Sequence, residues 1–510
     1  MRLATLTTLA GLACAACVSP PAPTTLQGVA AAAGPLVHAR ITVRDHLGTE
    51  RTTTADAQGH YQLDISALQA PLAVMATQAN TDPALCNQSR APRPACMVAL
   101  IDTLTPTETR ANVNPLTDWV ASDVALQLGL RGPHQLALAL PPDVPHDAFR
   151  QALGQLRAGF GDALVHAEVA HVEDFDPAKA DLASSGQGLQ AVLMLLNHNR
   201  GYDNNTGESG ATVITDVLWN PIAKPFGPGA NEPLQWARSQ AELARIRTAP
   251  RRVFIVGDST AATYERQRMP RMGWGQVFEA EFAHDSGIKV VNGARAGRSS
   301  RDFFNGGWYA QMARFIQAGD YVLIAHGHND QNCNALRALR GSADVANLCT
   351  YPNTPQGHMQ FPPGQPQMSF QQALTVYVQD ARSRGATPVL MTPTVRFLNA
   401  DRKTAYQGAD TRPVVSTHFI RQPLTGGYAF VGDYVQTIRD TAAAQRVPLM
   451  DLEAKTIALA NAHPNDWTDY WLEAADTTHF QERGARAIAA LVAQGLRETP
   501  QLAPLAQGLK

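Results

Sequence analysis

The run RRVFIVGDSTAATYERQRMPRMGWGQ, residues 251–276, decides how the rest of the chain is read. Val253 to Val256 form an unbroken apolar string, and Gly257-Asp258-Ser259-Thr260 ends it. A short apolar run bounded by turn residues fits a strand buried on both faces. A serine at the carboxyl end of such a strand stands where ligands of open α/β sheets gather. A helix starting directly after Ser259 would add unpaired N–H groups and a favourable dipole for an oxyanion. Gly-Asp-Ser is equally ordinary turn chemistry, so the run alone leaves Ser259 a nucleophile or a turn residue.

Working outward, IKVVNGA, DYVLIAHG, TPVLMTP and VPLMDL are further apolar runs ended by turns, and helical patterns such as FQQALTVYVQDARSRG lie between them. That alternation predicts an α/β fold: a three-layer α/β/α parallel sheet across residues 250–500. Residues 111–245 read as a helical region, with Leu116, Trp119, Val120, Val124 and Leu128 spaced by three and four and GQGLQAVLMLLNHNR as another helix. Residues 18–110 alternate strand and Gly turn, as in PLVHARITVRDHLGTERTTTADAQGHYQLDI. This predicts a small β-sandwich, and the pattern resembles prealbumin-like and carboxypeptidase-regulatory-like modules.

The 510 residues call for two or three domains, and 45% hydrophobic with 17% charged residues describes a globular chain. A formal net charge of −2 leaves no basic excess for nucleic acid. The basic group Arg266, Arg268 and Arg271 sits beside the serine motif, which suggests a local role or a solvated loop. Residues 1–17 read as an export signal, with Arg2 ahead of an apolar stretch. Cys17 is then either a lipidated residue that tethers the chain to a membrane or part of a leader removed from a soluble product. The expected location is the periplasm, the outer membrane or the medium. Cys86, Cys96, Cys333 and Cys349 remain, and in an exported chain sequence neighbours pair most cheaply. Cys86–Cys96 and Cys333–Cys349 would each contribute roughly 2–3 kcal/mol by closing a short loop.

A nucleophilic serine needs a base, and the base needs an orienter. DTTHF supplies both, with Asp476 three residues before His479 on a loop ahead of a helix whose Ala485, Ile488 and Val492 face inward. In GHNDQ, Asn329 follows a strand and can offer an amide to a developing oxyanion. In NGARAGRSS, Gly297 can offer a backbone N–H at close approach. Each feature alone has a structural explanation; together they converge on the carboxyl ends of the strands.

The blocks GDS, the block-two glycine, GHND and DTTH resemble the SGNH (GDSL-type) hydrolase superfamily. GDST, GWGQ, NGARAGRSSRDF, TPTVR and DTTHFQERGA narrow the likeness to rhamnogalacturonan acetylesterases, over about half the chain. The resemblance favours Gly297 over Gly293 in block two. It implies a cofactor-free serine esterase that removes acetyl groups from a polysaccharide of the pectin or rhamnogalacturonan type through an acetyl-serine intermediate. Ser259, His479 and Asp476 would act on the ester, with an oxyanion hole from Ser259, Gly297 and Asn329. Trp274, Arg298, Ser299 and Arg396 are candidate substrate contacts, although Trp274 also fits a core position. Alternatives are a GDSL-type lipase or thioesterase, and a glycan-binding lipoprotein with an inert hydrolase domain. A metal site from His326, His328 and His358 lacks carboxylates in a ligand spacing, so no metal is expected. The stretch CNALRALRGSADVANLCTYPNTPQGHMQFPPGQPQM is a long insert at the rim.

Overall fold

A computed structural model describes residues 25–81, 86, 96–103, 109–130, 132–183, 186–200, 211–223, 233–264, 268–305, 307–330, 350–351, 369–397, 414–416, 418, 433–473 and 476–510. The leader with Cys17, and Cys333, Cys349, His358 and Arg266, lie outside these residues.

The N-terminal strands are β1 (Thr25–Val29), β2 (Arg40–Asp45), β3 (Glu50–Thr54), β4 (His60–Asp64), β5 (Leu72–Thr77) and β6 (Cys96–Ile101). They form an antiparallel sheet of order β3-β2-β5-β6 and a separate β1-β4 ladder. Period-two alternation sorts the side chains. Ile41, Val43, Val74, Ala76 and Met97 pack with Leu26 and Leu63 of the ladder, while Ala73, Val98 and Leu100 face the other way. Cys86 is disulfide-bonded to Cys96, with Cα atoms 5.9 Å apart.

The second face of the sheet is covered by α1 (Pro115–Gln127), which buries Leu116, Trp119, Val120 and Val124. Asn114 starts this helix by accepting from the Leu116 and Thr117 N–H groups at 2.9 and 3.1 Å. Leu128 falls at the C-cap and is 36% exposed, so the expected apolar stripe ends one turn early. Helices α2 (Pro133–Leu138), α3 (His146–His166) and α4 (Leu189–Met194) follow.

The 111–245 region is not purely helical. The expected helix in GQGLQAVLMLLNHNR stops at Met194, and β7 (Leu196–Arg200), β8 (Thr212–Asp216) and β9 (Pro221–Ala223) build an antiparallel sheet. Tertiary pairing decides this, because Leu196–Arg200 forms a ladder with the β-branched run TVITD. A buried carboxylate at the seam fixes the arrangement. Asp118 accepts from Val98 N–H at 2.8 Å and Thr212 Oγ1 at 2.6 Å, and lies 2.8 Å from His198 Nε2.

After α5 (Trp236–Thr248), the C-terminal half alternates β10 (Arg251–Gly257), α6 (Trp274–Val277), β11 (Ile288–Asn292), α7 (Ser300–Asn305), α8 (Trp308–Ala313), β12 (Tyr321–Ala325), α9 (Phe370–Ser383), β13 (Thr387–Met391), α10 (Tyr434–Gln445), β14 (Leu449–Met450) and α11 (Leu452–Ala462). A hairpin of β15 (Trp471–Glu473) and β16 (Asp476–Phe480) then leads into α12 (Glu482–Glu498). The five central strands are parallel in the order β11-β10-β12-β13-β14, so the fold is the expected α/β/α arrangement.

Both sheet faces are apolar, as parallel strands between helix layers require. Val253, Ile255, Leu323 and Met391 pack with Ala485, Ile488 and Val492 of α12. Phe254, Val256, Ile324 and Leu390 belong to a core that continues through Phe303, Trp308 and Met312 into α3 and α1. Polar links cross the same boundary: Gln311 Nε2 donates to His198 O at 3.2 Å, and Arg314 to Asn197 Oδ1 at 3.0 Å. Among the described residues no helix is long and apolar enough to cross a membrane.

Candidate active site

Because β10, β11 and β12 run parallel, the segments after Gly257, Asn292 and Ala325 emerge at one end of the sheet. Ser259 is 7% exposed in the first of them. The expected helix does not follow it. A single turn closes with Ala262 N–H on Asp258 O at 3.1 Å, and among the described residues the next helix begins at Trp274. The carbonyls a helix would use are already taken. Ser259 O accepts from Tyr264 Oη at 2.7 Å, Thr260 O from Trp274 N–H at 3.0 Å, and Ala261 O from Asn292 Nδ2 at 2.8 Å. The N–H groups beside Ser259 therefore belong to a turn and not to a helix end.

Asp258 anchors that turn. Its side chain is fully buried, with Oδ1 accepting from Thr260 N at 3.0 Å and Thr260 Oγ1 at 2.8 Å, and Oδ2 from His328 N at 3.2 Å. The His328 ring lies 3.4 Å from the same carboxylate. Burial pushes the Asp258 carboxyl up, but the His328 and Thr260 groups outweigh it and hold it well below the usual carboxylate range. His328 is pushed down by its own burial, against the pull of Asp258. Its ring packs edge-on against His418, 4.7 Å between centroids, and His418 Nδ1 lies 2.9 Å from Glu453 Oε1. Burial raises Glu453 to about 7.

Asn329 Nδ2 donates to Arg298 O at 3.3 Å, next to Gly297. Asp330 ties the same segment to α7 by accepting from Ser300 N at 2.9 Å and Ser300 Oγ at 2.8 Å. Gly297 has φ 74°, the left-handed region that glycine adopts without strain. Gly293, the other glycine of this block, lies against Met312, where an added Cβ would come 2.1 Å from Sδ.

Asp476 and His479 lie on a strand, not on the expected loop, because Trp471 pairs with Phe480 across the hairpin. His479 Nδ1 is 2.8 Å from both Asp476 oxygens, and the His479 N–H donates to Oδ1 at 3.1 Å. β16 is laced to the rim on two sides, with Met272 N–H on Phe480 O and Phe397 N–H on Thr477 O, both 2.9 Å. Met272 in turn lies two residues before Trp274, whose N–H holds Thr260 O. This lacing brings the Asp476–His479 pair to the rim that carries Ser259. Burial pushes the Asp476 carboxyl up, but His479 and Arg271 hold it well below the usual range.

The profile of the GDSL-like Lipase/Acylhydrolase family matches residues 253–492. The rhamnogalacturonan acetylesterase RhgT of Bacillus subtilis (strain 168) is 32% identical over 262 residues, 49% of this chain and 90% of the relative. The chain belongs to the GDSL (SGNH) hydrolases. The probable rhamnogalacturonan acetylesterase YesY of the same organism is 27% identical over 48% of this GDSL hydrolase and 92% of its own length. The crystal structure of protein YxiM from Bacillus subtilis aligns at 17% identity and a TM-score of 0.36, covering 59% of this chain and 74% of that one. Membership makes this GDSL hydrolase a carboxylic ester hydrolase.

Three of the candidate substrate contacts lie inside the hydrolase. Trp274 is fully buried, edge-on to Phe278 at 5.6 Å, so it is a core residue and not a sugar platform. Arg298 is 2% exposed, its guanidinium 5.8 Å from the Trp308 ring centroid, and Ser299 is fully buried. Arg396 remains half-buried at the rim and donates to His328 O at 3.1 Å. His326 sits between the rings of Phe303 and Tyr377, and burial lowers it to about 4. One rim residue has a closer role than its sequence suggested: Arg271 Nη2 is 2.5 Å from Asp476 Oδ2. The basic run around it was the only signal, and it pointed equally to a solvated loop.

Proposed function

We propose that this hydrolase is an exported acetylesterase of an acetylated polysaccharide, with Ser259 as nucleophile. The observation that carries the reading is the Asp476–His479 pair, 2.8 Å apart on a hairpin laced to the segment that follows Ser259. His479, held through Nδ1, takes the Ser259 proton at Nε2 as Oγ attacks the acetyl carbonyl. The oxyanion is met by the Ser259 and Gly297 N–H groups and the Asn329 amide. The C–O bond to the sugar breaks, and the sugar oxygen leaves with the proton from His479. Water, deprotonated by the same imidazole, then releases acetate. Asp258 and Thr260 shape the turn.

The rhamnogalacturonan acetylesterases among the relatives support an acetylated pectin-type glycan as substrate. Export rests on residues 1–17, and a lipid on Cys17 would keep the enzyme at a membrane. Ser259→Ala should abolish both p-nitrophenyl acetate hydrolysis and acetate release from acetylated rhamnogalacturonan while the protein stays folded. Turnover retained in that variant overturns the assignment of Ser259. Wild-type preference for long-chain acyl esters would favour a lipase instead.

A further inference from the structure

Arg271 joins segments 205 residues apart, because its guanidinium meets Asp476 Oδ2 from the loop between the serine turn and α6. It also lies over the Tyr264 ring, 5.8 Å from the centroid, and the Tyr264 hydroxyl holds the Ser259 carbonyl at 2.7 Å. One side chain thus touches the carboxylate that orients the imidazole and the ring that braces the nucleophile's backbone. We infer that Arg271 is a positioning residue that clamps the Asp476–His479 pair against the serine turn and sets how far into acid that pair can act as a base. The inference rests on the esterase reading of Ser259 and His479.

The physical basis is charge division. An orienting carboxylate stabilises the imidazolium form of its histidine, and a base trapped in that form cannot take the serine proton. Arg271 neutralises part of the Asp476 charge, so the ring is less strongly held in its protonated state. The other charges around the pair are fixed elsewhere. Asp258 is engaged by Thr260 and His328, Arg396 lies on the His328 carbonyl, and His328 is a buried ring pushed toward neutrality. Arg268 acts on Tyr264 from the same loop as Arg271. Besides the His479 ring itself, Arg271 is therefore the cation in direct contact with Asp476 among the described residues.

The test compares wild type, Arg271→Gln and Arg271→Lys by kcat/KM on p-nitrophenyl acetate from pH 4.5 to 8. Loss of a charge at this range moves the acid limb up by about 1 pH unit in the glutamine variant. That is about a tenfold loss at pH 5 with the neutral-pH plateau far less affected. Lysine, which keeps the charge but not the fork, restores the position of the limb. A uniform fall at every pH, or a limb that stays in place, overturns the inference. The same profile is read without any acetyl ester from labelling of Ser259 by diisopropyl fluorophosphate, followed by intact mass. There the Oγ–P bond forms, fluoride leaves, and the serine proton passes to His479. Labelling without acetate release would sink the acetylesterase reading alone, and an unmoved acid limb in the labelling rate would sink the role of Arg271 alone.

Discussion

Asp258→Asn is the most informative single change beneath the site, because it alters one charge and almost no volume. The carboxylate accepts from Thr260 N and Thr260 Oγ1 on one oxygen and from His328 N on the other, all in full burial. Asparagine keeps the first oxygen but turns an NH2 toward the His328 N–H. The two Thr260 bonds change from charged to neutral acceptor, a loss of about 1 kcal/mol each. The stranded His328 N–H costs about 1–3 kcal/mol more. The new NH2 can donate to the nearby His328 ring nitrogen, which returns about 1 kcal/mol. The net loss is then about 2–4 kcal/mol. Urea unfolding followed by tryptophan fluorescence measures it, with buried Trp274 and Trp308 reporting on this half of the chain. The same variant should lose kcat on p-nitrophenyl acetate, since the turn carrying Ser259 and the segment carrying Asn329 share this anchor. A loss below about 1 kcal/mol would refute the claim that the buried carboxylate holds the two segments together.

Asp320→Ala should destabilise by about 3–5 kcal/mol in the same assay, because Arg252, buried with its Nε 2.9 Å from Asp320, would be left without its counter-charge. Asn329→Ala should lower kcat by about 10²–10³ with little change in stability, if its amide meets the oxyanion. Between pH 7 and 5 buried groups pull the urea midpoint in opposite directions, His326 and His328 lowering it and Glu453 raising it as the pH falls. His326, held near 4 while the unfolded ring binds a proton from about 6.5 down, loses stability as pH falls. Glu453, raised to about 7, gains it over the same interval, so Glu453→Gln should expose a decline. Asp258 and Asp476 are both held low, so their contributions are present above about pH 4 and are lost on further acidification.

The sheet and the strand-end residues were legible because they depend on local pattern. Val253 to Val256 and Tyr321 to Ala325 are apolar at every position, which only a doubly covered strand explains, and the residues beyond them had to share one edge. The missing helix after Ser259 was not legible, since it depends on partners far away in sequence: Trp274 and Asn292 take the carbonyls a helix needs. The same holds for β7, which reads as helix until TVITD pairs with it. Arg271 illustrates a different limit. A cation in a basic run is unremarkable until the fold puts it on Asp476. Trp274 fits a sugar platform by sequence alone, and its complete burial makes it core.

The core that runs from the β5-β6 sheet through α1 and α3 to Phe254 and Trp308 changes what a boundary near residue 250 means. In the sequence it is a junction; in space it is the inside of a wall. Scissors applied there would not free a self-standing catalyst but would bare the greasy rear of its sheet to water. Here the first half is the backing plate of the hydrolase sheet.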